Sequence, residues 1–173
     1  MRLAWVRLVF ASAGGLSVLW GAAVADEDEV RLPERKAGLW ELTTTMDEGL
    51  GPKDQTMQLC VDADMERATV EASLHEHDKQ CSKYEIKKEG DKTIVDMSCQ
   101  FASRHVTSRT EMGGDFQSSL TVKIESTTSG DQNGQTVAVK RTITQNGKYL
   151  GASCGDLTGG EAKGPDGTKV MVQ

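Results

Sequence analysis

His75-x-His77, followed closely by Cys81, gathers two imidazoles and a thiol, a set that could hold zinc or copper. Two features of the sequence oppose that chemistry. The run His75-Glu76-His77-Asp78-Lys79-Gln80 is polar throughout and reads as a solvated loop. Cys81 is expected in a disulfide, where it has no thiolate to offer a metal. Met46, Met57, Met65, Met97 and Met112 could suggest copper(I), but they fall at apolar strand or helix positions, where methionine fills core gaps. His105, with Ser103, Ser108, Ser118 and Ser119, supplies a base and hydroxyls. No Gly-x-Ser-x-Gly elbow accompanies them, and His105 shares the polar phase of its strand with Thr107, Arg109 and Glu111. An acidic chain always offers carboxylate pairs for hydrolysis, and nothing here singles one out. The expectation is therefore a non-enzymatic protein without cofactor or metal.

Binding is the more natural chemistry. Arg141 falls in phase with Val137, Val139 and Ile143. A cation on an apolar strand face reaches for the rim, pairs with an acid, or meets a ligand's anionic group. Trp40 either anchors a core or lines a pocket mouth. The expected ligand-lining set is Trp40, Leu42, Phe101, Leu120 and Val139, with Arg141 at the edge.

The elements that must position these residues are mostly strands. Trp40, Leu42, Thr44 and Met46 alternate with polar neighbours, as do Met57, Leu59 and Val61, and Tyr84 with Ile86. Glu89-Gly90-Asp91-Lys92 reads as a hairpin turn, returning through Val95, Met97, Cys99 and Phe101. A more polar strand over residues 106–112 leads to a turn at Gly113-Gly114-Asp115. Phe116, Ser118, Leu120, Val122 and Ile124 form the cleanest period-two run, and Gly130 to Gly134 turns the chain again. Asn146-Gly147 reads as a tight turn before Lys148-Tyr149-Leu150. One helix, capped by Asp62 and ending near Leu74, interrupts the strands. The pattern predicts an all-β antiparallel meander with one short helix, forming a strongly curved sheet or half-open barrel.

The chain carries an export signature. Arg2 and Arg7 flank an apolar stretch from Leu8 to Trp20, and Ala23-Val24-Ala25 offers a small-residue cleavage site. Residues 1–25 are expected to be removed, leaving a periplasmic or secreted protein that meets the membrane only during export. No cysteine directly follows the cleavage site, which argues against a lipoprotein. Residues 26–36 read as a loose charged entry, 37–156 as one domain, and 157–173 as a Gly-rich tail with a weak terminal strand. The full chain has 20 basic and 26 acidic residues, net −6. Without Arg2 and Arg7 the balance is 18 against 26, or −8, which disfavours nucleic acid and anionic membrane surfaces.

Cys60, Cys81, Cys99 and Cys154 all follow the leader, an even set that implies two disulfides with three possible connectivities. Chain order favours Cys60–Cys81, bracketing the helix, and Cys99–Cys154. No Cys-x-x-Cys pair supports zinc instead.

Ala37-Gly38-Leu39-Trp40-Glu41-Leu42-Thr43-Thr44 resembles the Pro-Gly-Leu-Trp-Glu-Val/Ile-Thr opening of the domain-of-unknown-function 3617 family, small secreted proteins of proteobacteria. Gln58-Leu59-Cys60-Val61, the acidic helix after it, Cys81, Met97-Ser98-Cys99 and Gly151-Ala152-Ser153-Cys154 continue the likeness. It spans roughly residues 35–156. Ala37 replaces the usual proline, Ala152-Ser153 precedes the last cysteine where Gly-Asp is common, and the C-terminal extension is long. The resemblance implies an envelope location and a β-rich fold; it implies no known activity, and it carries over no catalytic residues. The leading reading is a binding module for a small apolar or lipid-like ligand; the alternative is an envelope protein without a ligand pocket that meets a protein partner through strand edges or a polar sheet face, and metal-binding or hydrolytic activity stands third.

Overall fold

The computed structural model describes residues 30–172, the side chains of 75, 76, 78 and 132 excepted. The leader lies outside the described residues. Nine strands and one helix follow in the order β1 (Gly38–Asp47), β2 (Lys53–Val61), α1 (Ala63–Gln80), β3 (Cys81–Glu89), β4 (Lys92–Phe101), β5 (Arg104–Gly114), β6 (Ser119–Gln132), β7 (Gln135–Gly151), β8 (Glu161–Lys163) and β9 (Lys169–Met171). They form one antiparallel sheet, ordered β3-β4-β5-β6-β7-β1-β2-β8-β9, that does not close. The expected all-β meander is therefore present, with the β1–β2 hairpin added to its far side. β1 lies between β7 and β2, so Leu39 pairs with both Gly151 and Cys60.

Alternation divides the sheet into two faces. One carries Trp40, Leu42, Leu59, Val61, Leu120 and Ala162, which pack with Phe116 into a single buried cluster. The opposite face of β3–β5 carries a charge lattice. Lys87 reaches Asp96 at 3.1 Å, Arg109 reaches Glu89 at 2.7 Å, and Lys92 reaches Glu111 at 2.9 Å. These pairs stand in solvent and add little stability each. Their positions, with opposite signs across neighbouring strands, do favour this register.

Several expectations change. Asn146-Gly147 is not a turn: β7 runs straight through it, with Asn146 paired to Thr43 and Thr121. Gly147 serves the core instead. A Cβ there would stand 2.7 Å from Leu120 Cγ and 3.0 Å from Leu42 Cδ2. Gly147→Ala should therefore overpack the core and cost about 1–3 kcal/mol, read as a lower urea midpoint at unchanged slope.

Phe116 is not the first residue of a strand. Asp115 accepts hydrogen bonds from the N–H groups of Gln117, Ser118 and Ser119 and from the Ser118 hydroxyl. That collar bends the chain, holds Phe116 at φ 56°, and leaves its ring buried in the core. The helix also runs beyond Leu74 to Gln80. Asp62 caps it through Asp64 N–H and Met65 N–H. No glycine or proline interrupts it, and His77 and Lys79 suit its negative end.

The tail from 157 onward is folded. Leu157 and Ala162 are buried, β8 pairs with β2, and Gly160 N–H donates to Cys60 C=O at 2.9 Å. The entry segment is also anchored where it meets the domain. Arg35 forks onto Glu66 at 2.9 and 2.6 Å, and Trp40 Nε1 donates to Lys36 C=O at 2.7 Å.

Both disulfides differ from the favoured pairing. Cys60 bonds Cys154, and Cys81 bonds Cys99. Cys81 and Cys99 are cross-strand neighbours in the β3–β4 hairpin, brought into register by a bulge at Ser82. Cys154 follows β7, which lies one strand from β2, so it arrives beside Cys60.

Candidate binding surface

The six expected ligand-lining residues separate into two groups. Trp40, Leu42 and Leu120 are 0%, 3% and 3% exposed and pack against one another's neighbours in the core cluster. Trp40 meets Tyr149 edge-on at 5.5 Å, and Lys36 Nζ sits 4.5 Å from the centre of the Tyr149 ring. These residues fill the sheet's interior rather than line a space. Phe101 is half-buried at the end of β4. Val139 and Arg141 lie elsewhere, toward the β6–β7 turn.

That end of the sheet is open. β1 pairs with β7 only as far as Asp47 and Thr142, so residues 135–141 have β6 on one side and, among the described residues, no strand on the other. The apolar face there runs in cross-strand rows: Phe101, Arg104, Gly130 and Val137 in one, Cys99, Val106, Thr128 and Val139 in the next. Val137 and Val139 are 42% and 45% exposed. A shallow groove of about 430 Å³ lies over Arg104, Thr128, Val137, Val139 and Arg141. A second cleft, about 570 Å³, separates Ala138 and Lys140 from Asp47 and Gly49 at the β1–β2 turn. Of the options open to Arg141, pairing with an acid is the one realised: its Nε donates to Glu48 Oε1 at 2.6 Å. The neighbouring cation Arg104 makes no ion pair with any described residue.

The His75–His77 stretch is helical, not a loop. His77 stacks on Tyr84 with ring centroids 4.3 Å apart, and its Nδ1 meets Ser73 C=O. Burial raises the Tyr84 phenol above its ordinary value. Among the described residues no three His, Cys, Asp or Glu side chains form a metal-sized group. His105 Nε2 lies 3.0 Å from Ser98 Oγ on the exposed face, a contact the strand pattern did not single out.

Two exposed carboxylates tie loops to the sheet. Asp115 is held well below the usual carboxylate range, first by the Ser118 and Ser119 N–H groups. Asp156 is lowered to about 2 by Lys163 and then Lys169, which link β8 and β9 to the Cys154 loop. Because both values lie below those of an unfolded chain, their stabilisation is complete above about pH 4 and fades as pH falls toward 2. Thermal melts from pH 7 to 2 should show this loss. The gap between the protein and Asp115→Asn should narrow below pH 4.

A family profile described as protein of unknown function (DUF3617) matches residues 35–154, so the chain belongs to that family. The four cysteines and the Gly-Leu-Trp-Glu opening lie within the matched region. No curated protein and no solved structure matches. The two disulfides are consistent with an oxidising, extracytoplasmic compartment. Among the described residues no helix is long and apolar enough to cross a membrane.

Proposed function

We propose that this is a non-enzymatic interaction module of the cell envelope, periplasmic or secreted after cleavage near Ala25, which meets a protein partner at the open end of β7. One contrast carries the reading. The interior expected to hold a ligand is filled by Trp40, Leu42 and Leu120, while Val137 and Val139 stand exposed beside an unpaired strand edge. Edges of this kind recruit extended segments through main-chain hydrogen bonds, and alternate side chains select the partner.

A photo-crosslinking residue at Val139, in protein exported with its own leader, tests this. Discrete protein adducts at 139, absent from a control at Gln117, are expected. The second reading is a small amphiphile lying along the shallow groove, its anionic end on Arg104, which shares the groove with Asp131 but forms no ion pair with any described residue. Native mass spectrometry separates the two. A small mass released on unfolding, with no protein adduct at 139, would replace the first reading with the second.

A further inference from the structure

The sheet leaves several stretches of strand edge without a neighbour among the described residues, and they are not equally guarded. Residues 53–57 of β2, beyond the reach of β8, include the charges Lys53 and Asp54. β3 carries Lys83, Glu85, Lys87, Lys88 and Glu89, the charges that discourage edge pairing. β9 is only three residues long. The open part of β7 reads Gln135-Thr136-Val137-Ala138-Val139-Lys140-Arg141, with no proline and no charge before Lys140. We propose that this edge pairs antiparallel with the same edge of a second copy of the chain, about a two-fold axis at Ala138. The proposal rests on the reading of this end as the meeting surface and names its partner.

The register is self-complementary. A two-fold axis normal to the sheet keeps both apolar faces on one side, so residues of equal parity face each other. With the axis at Ala138, Val137 opposes the partner's Val139 and the partner's Val137 opposes Val139. Thr136 then opposes the partner's Lys140, and Gln135 the partner's Arg141. Two β-branched pairs form on the apolar face, and no like charges meet directly. The two Lys140 side chains leave the strands roughly 13 Å apart along the pair, beyond the Debye length of about 8 Å at physiological salt. Each Arg141 keeps its own Glu48. Moving the axis to Val139 would set Val137 against Arg141 and Ala138 against Lys140, leaving one valine pair, Val139 with its copy, in place of two. The cleft between Ala138 and Gly49 lies along this edge. Seven residues a side is far fewer than the roughly 20–30 of a standard interface, so the dimer is concentration-dependent.

Single introduced cysteines test the register in the intact chain, since no described cysteine is free. Under mild oxidation Ala138→Cys should give a disulfide-linked dimer. Thr136→Cys and Lys140→Cys should each remain monomeric alone and crosslink when mixed. In sedimentation equilibrium the wild-type mass should rise toward twice the monomer with concentration, while Val139→Asp stays monomeric with an unchanged urea midpoint. Monomer at every concentration, or a 138–138 bond no more frequent than that of an exposed Ser118→Cys control, overturns the proposal. If the residue-139 photoprobe then still captures a different protein, the meeting surface stands and only the second copy is wrong. If it captures nothing, both readings fall.

Discussion

Trp40→Ala should lower the unfolding free energy by about 3–5 kcal/mol, the cost of emptying a large aromatic site in a packed core. Trp40 is fully buried, and the residues around it come from β1, β2, β6 and β8 together with the Phe116 loop. Its indole N–H also fastens the entry segment through Lys36 C=O. Truncation therefore opens a cavity and removes one tie of the chain ahead of β1, the Arg35–Glu66 pair remaining. Urea unfolding followed by circular dichroism checks this, with Trp40→Phe expected to lose less because most of the ring volume remains. The result also bears on function. A tryptophan lining a ligand pocket would be replaceable with little loss of stability, so a change below about 1 kcal/mol would return Trp40 to the binding readings.

Removing the Cys60–Cys154 bridge should destabilise more than removing Cys81–Cys99. The first closes a sequence separation of 94 residues and the second one of 18. On the chain-entropy account that is about 4–5 kcal/mol against about 3 kcal/mol. A domain of this kind holds roughly 5–15 kcal/mol in total. Loss of the longer bridge therefore removes between about a third and nearly all of that total. The bridge also ties β2 to the segment that leads into β8, whereas the β3–β4 hairpin retains its backbone ladder when its own bridge is cut. Paired Cys→Ser variants compared by thermal melting give the order. Peptide mapping without reduction gives the connectivity: a Cys60–Cys81 peptide would contradict both the structure and this ranking.

The envelope of the fold was legible in sequence because period two is a local property. Trp40, Leu42, Leu120 and Val122 announce which side of each strand is apolar, and Gly90-Asp91 announces a hairpin. The family likeness likewise rests on short motifs that the chain carries in order. Turn chemistry was a weaker guide. Asn146-Gly147 has the composition of a turn, yet a glycine placed for close packing against Leu120 looks the same as one placed for a positive φ. Phe116 kept the parity of the strand that follows it, although the Asp115 collar had already bent the chain. Polar loop composition misled at 157–172, where the apolar contribution is concentrated in Leu157 and Ala162.

By itself, the amino-acid sequence determined the strand-rich class, the buried parity of most strands, the capped helix start and the even cysteine set, since each depends on residues a few positions apart. Only the tertiary structure decided which cysteines meet, because a one-residue bulge at Ser82 and the neighbouring of β7, β1 and β2 set those distances. It also decided the fate of the expected binding residues. Parity places Trp40, Leu120 and Val139 on one face alike, but exposure depends on which strands lie beside them. At one end the sheet continues from β7 into β1 and β2, whereas β1 stops at Asp47 and leaves Val137 and Val139 exposed on an edge.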